Sequence, residues 1–121
     1  MWVADVNAIA VSRFDPVTRE VTATLITGLN HATVNVHGLA AGEGRVWLAT
    51  TAGVLAFDAA GNTLAATVSA VQDPWFLATA GGAPWVTTDA EGRIFALDPT
   101  SGDLVRQVAW GTAPFAIAAG P

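Results

Sequence analysis

Two stretches of this chain carry the same pattern: VWLATTAGVLAFDAAGNTLAATV at residues 46–68 and PWVTTDAEGRIFALDPTSGDLVRQV at residues 84–108. Each stretch opens with a Trp in a short apolar run, continues through a second run that ends at Asp58 or Asp98, and resumes after a turn. The runs have the length and composition of β-strands. An Asp followed by Pro or Ala and then by Gly predicts a tight turn, because the carboxylate accepts from backbone N–H groups ahead of it and Gly tolerates positive φ. These stretches therefore predict antiparallel strands joined by short turns.

Three markers recur in the same order along the whole chain, with a period near 40 residues. They are a Trp in an apolar run (Trp2, Trp47 and Trp85), an Asp that ends the next run (Asp15, Asp58 and Asp98), and a run of small residues ending near Gly (37–42, 75–81 and 115–120). No segment keeps the apolar stripe of a helix. Each unit is therefore predicted to hold four short strands, A to D: the small-residue run, the Trp run, the run ending at Asp, and the run after the turn.

A four-stranded unit of about 40 residues is typical of a β-propeller blade. Small residues suit strand A, which is crowded around the central channel, and the Trp of strand B can fill the space between adjacent blades. The two stretches quoted above also resemble blades of the NHL and virginiamycin B lyase-like propeller group. The resemblance implies a propeller fold, and such blades occur in enzymes and in scaffolds alike.

We expect one repeat domain over residues 1–121. Blade 2 is predicted at about 36–74, blade 3 at about 75–113, and blade 1 at about 1–35, completed by strand 114–121 of a partner chain. Because closed propellers typically have four to eight blades, three blades predict a homodimer that closes one six-bladed ring by exchanging terminal strands. Twofold dimers are also the commonest oligomers. The alternatives are a trimer with nine blades, or an excised or engineered half of a longer propeller.

The function that we expect is that of a non-enzymatic, self-assembling scaffold and binding module with a small-molecule or peptide ligand. Strand A begins at the channel mouth, and the connection before blade 2 is longer than its counterparts, as binding loops often are. The predicted ligand-binding residues come from these two places: Asn30, His31, Asn35, His37, Trp75 and Phe115. No cofactor is expected.

Two other functions remain open at this stage. The family resemblance implies a metal-assisted lyase or lactone hydrolase, in which His37 would be the base and Asp5, Asp73 and Asp89 would lie near a metal. The segment His37-Gly38-Leu39 resembles a segment of lyase-like propellers. The second alternative is a β-trefoil carbohydrate-binding module, because that fold also has three units of four strands. The scaffold function that we expect involves no catalytic residue and no metal ligand.

Composition excludes several classes of function. The chain has no Cys, which excludes disulfides, Cys-ligated zinc and thiol nucleophiles. Ten acidic residues against five basic ones give a net charge of −5, so nucleic acid and anionic membranes are poor partners. The sequence shows neither a membrane-spanning apolar run nor the basic start of a signal peptide. The compartment stays unknown.

Overall fold

The computed structural model describes residues 1–5, 10–26, 32–60, 63–89, 92–112, 114 and 116–120. Within these ranges the chain forms eleven β-strands in three separate antiparallel sheets. The same ranges contain no helix of the length and apolar character needed to cross a membrane.

Each sheet is a meander in which a strand pairs only with its neighbours in sequence. Blade 1 contains β1 (Trp2–Asp5), β2 (Ala10–Phe14) and β3 (Val21–Ile26). Blade 2 contains β4 (Val36–Gly42), β5 (Arg45–Thr50), β6 (Gly53–Asp58) and β7 (Leu64–Val68). Blade 3 contains β8 (Pro74–Ala80), β9 (Ala83–Thr88), β10 (Arg93–Leu97) and β11 (Leu104–Ala109). The predicted all-β, three-bladed fold is confirmed. The β-trefoil alternative is wrong, because the strands form three separate meanders.

The three sheets share one register. The Trp of strand B lies opposite an equivalent residue of strand C in every blade: Trp2 opposite Arg13, Trp47 opposite Ala56, and Trp85 opposite Ala96. The pairing of strands C and D then shifts at the next residue in each of the three sheets. The repeat seen in the sequence is therefore a repeat of backbone geometry, and each residue has a defined equivalent in the other blades.

The turn between strands C and D is built around the Asp of each repeat. Asp98 Oδ1 accepts from the N–H groups of Thr100 at 2.8 Å and Ser101 at 2.9 Å. The Ser101 N–H, followed by that of Thr100, lowers the pKa of this carboxyl. Asp15 makes the same pair of bonds to the residues two and three ahead of it. The structural role predicted for these Asp residues is confirmed.

The core lies between the blades. Trp47 of blade 2 is completely buried and belongs to one cluster with Phe95 and Leu97 of blade 3. Trp2 packs on a second cluster, between blades 1 and 2. The prediction that all three Trp residues are core is therefore confirmed in full for Trp47, while Trp2 is half-buried. Trp85 is only half-buried, because the described chain places no further blade against its side of blade 3.

Candidate functional site

The inner strands of blades 2 and 3 bring His37 and Trp75 together. Their rings are stacked, with centroids 4.3 Å apart and planes inclined by 13°. His37 Nδ1 is also 3.0 Å from the Pro74 carbonyl oxygen, to which it donates as the Nδ1–H tautomer. Both side chains are half-buried. His37 thus ties the first strand of one blade to the first strand of the next.

Other contacts hold the same two strands close together. Thr79 Oγ1 donates to the Ala41 carbonyl at 3.1 Å. A Cβ placed on Gly38 would meet the Trp75 carbonyl oxygen, so only glycine permits this approach of the two backbones. The His37–Trp75 pair therefore belongs to a tightly packed junction between blades. A role of His37 and Trp75 in ligand binding stays a prediction.

Asn35 lies on the connection that leads into β4, and its side chain is exposed. Its N–H donates to Thr51 Oγ1 at 3.0 Å, and its carbonyl accepts from the Thr51 N–H at 3.0 Å. Thr51 belongs to the turn between β5 and β6, so this connection and that turn share one end of blade 2. The predicted ligand residues Asn30, His31 and Phe115 lie outside the described residues.

The three acidic residues considered as metal ligands are all exposed. Asp5 ends β1, Asp73 precedes β8 with a φ of 45°, and Asp89 follows β9. In the described ranges, no three His, Asp or Glu side chains lie close enough together to hold a metal ion. The lyase alternative, with His37 as base and Asp5, Asp89 or Asp73 near a metal, stays a prediction.

A polar cavity of about 270 Å³ opens beside Asp73, at the end of blade 2 that also carries Thr51. It is lined by the turn 51–53 together with Ser69, Val71, Gln72 and Asp73. Val71 is almost completely buried and anchors the loop. Among the sequence-predicted residues that the structure describes, Asp73 alone lines this cavity. Ser69 and Gln72 were missed because isolated loop residues carry no motif.

The most distinctive surfaces are the two outermost sides of the three-bladed arc. We call the side of blade 3 that carries Trp85 and Ala96 its forward face. In blade 2, the equivalent forward face packs on blade 3 and consists of Trp47, Ala49, Val54, Ala56, Ala66 and Val68. In blade 3 that face borders a groove of about 350 Å³, lined partly by Trp85, Val105 and Arg106. Val68 is 7% exposed, whereas its equivalent Val108 is 39% exposed.

The opposite side of the arc is the rear face of blade 1, formed by Met1, Val3 and Phe14. Met1 is 69% exposed and Val3 is 51% exposed. Their equivalents in blade 2, Val46 and Leu48, are completely buried against blade 1. The same positions are thus core where a neighbouring blade is present and surface where it is absent.

Exposed apolar side chains are concentrated on the terminal blades. Nine large apolar residues are exposed in the described part of the chain, and eight of them belong to blades 1 and 3. They are Met1, Val3, Val17 and Val21 in blade 1 and Leu104, Val105, Val108 and Trp110 in blade 3. Blade 2 contributes only Leu64 to the nine, and its equivalents Val21 and Leu104 are exposed as well, so this position is exposed in every blade.

Comparison with known proteins identifies the fold. No family model matches the chain, and no curated protein matches its sequence. Among solved structures, AztD from Citrobacter koseri aligns over 90% of this chain with a TM-score of 0.71 and 16% identity. BamB from Moraxella catarrhalis aligns over 90% with a TM-score of 0.63 and 22% identity. The dihydro-heme d1 dehydrogenase NirN aligns over 99% with a TM-score of 0.67 and 21% identity.

These neighbours are β-propellers. The chain has the fold of a partial β-propeller. It spans 31% of the AztD chain, 32% of the BamB chain and 27% of the NirN chain. At these identities the likeness concerns the fold alone, and a shared propeller fold does not imply a shared function.

Proposed function

We propose that this chain is a non-enzymatic, ring-forming propeller module, in which two copies close a six-bladed scaffold by exchanging a strand. The observation that carries the proposal is that positions which are core in blade 2 are exposed at the two ends of the arc: Met1 and Val3 on the rear face of blade 1, and Val108 on the forward face of blade 3. By repeat equivalence these faces are the two halves of one interface between blades. A second copy related by a twofold axis would cover both at once.

Blade 1 also has an open edge. Its sheet has three described strands, and β1 is at the edge. Met1 and Phe14 exchange two hydrogen bonds, of 2.8 Å and 3.1 Å. Because hydrogen-bonded pairs alternate along an antiparallel ladder, the backbone groups of Trp2 and Ala4 point away from β2. These groups are the ones that a fourth strand would meet.

Residues 116–120 have the composition of that strand. They carry the small-residue run of strand A, four of the five residues are exposed, and none is in a described strand. The other blades predict the register, because the Trp of strand B lies opposite Ala40 in blade 2 and Ala78 in blade 3. Their equivalent is Ala118, so we expect Ala118 of one copy opposite Trp2 of the other, and Ala116 opposite Ala4.

The ring would hold two copies of the His37–Trp75 junction around one channel. Small-molecule or peptide binding at this end, with Asn35 and the cavity beside Asp73 as neighbouring surface, is part of the proposal. The likeness of the blades to the NHL and virginiamycin B lyase-like group rests on the two Trp-to-Asp stretches, and that closer relationship is likewise proposed.

The solution mass tests the assembly first. Light scattering on a size-exclusion column should give about twice the chain mass of 12.4 kDa. A mass three times that of the chain would indicate a ring of nine blades in place of six. A monomer at high concentration would overturn the proposal and indicate that further blades of a longer polypeptide cover the open faces.

Two proline variants test the strand exchange. Ala118→Pro removes an N–H that the expected register directs at Trp2, so we expect the dimer dissociation constant to rise at least about tenfold. Ala119→Pro is the matched control, because the N–H of residue 119 points away from β1 in the same register. Equal effects of the two variants, measured by sedimentation velocity, would contradict the proposed register.

A further inference from the structure

The outer rim of the interface between blades 2 and 3 is a reference for the equivalent rim between two copies. There the turn Asp98–Asp103 lies on the end of β7. A Cβ on Gly102 would be 3.1 Å from Val68 Cγ2 and 3.4 Å from Ala66 Cβ. A groove of about 200 Å³ remains between residues 67–70 and residues 101–104. This rim is therefore narrow, lined by small residues and incompletely filled.

The equivalent positions at the two outermost sides of the arc carry long side chains. Gly102 corresponds to Arg19, because each donates its N–H to the Asp that starts its turn, at 2.9 Å and 2.8 Å, and each has positive φ. Ala70 corresponds to Trp110, two residues beyond the equivalent pair Val68 and Val108. Ala70 and Gly102 line the same groove, so Trp110 of one copy and Arg19 of a second copy would meet there.

We propose that the turn Asp15–Glu20 of a second copy docks on the β11 end of blade 3, with the Arg19 guanidinium against the Trp110 indole. This inference rests on the proposed function, and it names the residues that distinguish the contact between copies from the contact within a chain. The Trp110 side chain is 62% exposed, whereas the Trp110 backbone N–H donates to the Gly92 carbonyl at 2.9 Å. A large aromatic side chain on an anchored backbone is the usual centre of a protein interface.

The charges of this contact can be balanced within the same groove. Ala66, which lies beside Gly102, corresponds to Arg106, so two guanidinium groups would approach each other. Asp103 also lines the groove, and its equivalent in blade 1 is Glu20. The Glu20 carboxylate would lie between the two cations, while the face of Trp110 accommodates Arg19 through a cation–π contact. The Cβ of Arg19 requires the rim to widen by a few tenths of an ångström relative to the rim at Gly102.

Sedimentation equilibrium of the full chain tests the contact. We expect Trp110→Ala to raise the dimer dissociation constant at least about tenfold and Arg19→Ala to raise it less. The double variant should lose less dimerisation free energy than the two single variants added together, because a favourable interaction between the two side chains can be lost only once. Leu64→Ala, which truncates the exposed apolar residue of blade 2, is the matched control and should leave the constant unchanged.

A second measurement applies even where a variant folds poorly. Hydroxyl-radical footprinting of the unaltered chain should show Trp110 and Val17 becoming protected as concentration rises, while Leu64 stays reactive. Uniform reactivity of Trp110 across the dimerisation range would overturn the inference. A dimer that is weakened by Ala118→Pro but not by Trp110→Ala would overturn it as well and leave the proposed strand exchange intact. A monomer would overturn both.

Discussion

Trp47 in blade 2 and Trp85 in blade 3 occupy the same position in the same register, but their surroundings differ. Trp47 is completely buried against blade 3, whereas Trp85 is half-buried and lines an open groove. The residues around them follow the same pattern, with Val68 buried and Val108 exposed. The comparison shows that a propeller position becomes core only when a neighbouring blade covers it. The chain contains two such faces that nothing in its described part covers.

The largest expected effect comes from removing the two indoles. Trp47→Ala should reduce the free energy of unfolding by about 3–5 kcal/mol, because it leaves a large cavity in a fully buried site. Trp85→Ala should cost less than half of that in dilute solution, where its side chain is partly exposed. Urea denaturation at several protein concentrations measures both variants.

The concentration dependence sharpens this test. If a second copy covers Trp85, the cost of Trp85→Ala should increase with protein concentration, while the cost of Trp47→Ala should not. Equal costs for the two variants in dilute solution would mean that the forward face of blade 3 is already covered within one chain.

A smaller effect is expected where the inner strands of blades 2 and 3 approach each other. Gly38→Ala places a methyl group against the Trp75 carbonyl oxygen, so the two backbones must separate. We expect a loss of about 1–3 kcal/mol, as is usual for overpacking a rigid site. Gly120→Ala is the control when both variants are compared in dilute solution, where copies do not associate, since a Cβ at Gly120 meets nothing within 4 Å in a single chain. Thermal denaturation of the two variants side by side would show whether the junction of β4 and β8 is as rigid as the structure indicates.

The smallest effect concerns the turn that begins at Asp98. Its pKa is lowered in the folded chain, mainly by the N–H groups of Ser101 and Thr100. Protonation therefore favours the unfolded chain. The stabilisation by Asp98 is fully present above the ordinary Asp pKa of about 4 and is lost as pH falls through the lowered value.

Asp98→Asn should remove this part of the pH dependence of the free energy of unfolding. The difference in that free energy between variant and parent should then be constant above pH 5. Denaturation curves between pH 2 and pH 6 provide the measurement. A parent and a variant with parallel profiles would show that the turn does not depend on the carboxylate charge.

Much of the fold could be predicted from the residues. The Trp, Asp and small-residue markers repeat with a period near 40, and the strands and turns follow from alternation and from the Asx bonds of Asp15 and Asp98. The stack of His37 on Trp75 agrees with their alignment at the start of strand A. The sequence could not predict whether Asp5, Asp73 and Asp89 lie close together, because the distances among them depend on how successive blades are placed.

Three blades implied an arc that is open at both ends, but the sequence did not show which side chains form the two open faces. Trp110 and Val108 are apolar residues of the kind found in protein cores, and nothing in the local sequence distinguishes Val108 from its buried equivalent Val68. Arg19 and Trp110 are more than 90 positions apart in the sequence, so their equivalence to Gly102 and Ala70 emerges only from the shared register.

The sequence by itself determined the number of repeats, the strands within each repeat and the turns that join them, because these depend on alternation, chain length and bonds between near neighbours. Only the tertiary structure decided which apolar residues are core and which are exposed on the outer faces of the arc. That distinction depends on whether another sheet lies against each face, and the packing of one blade on the next is a long-range property that no single repeat contains.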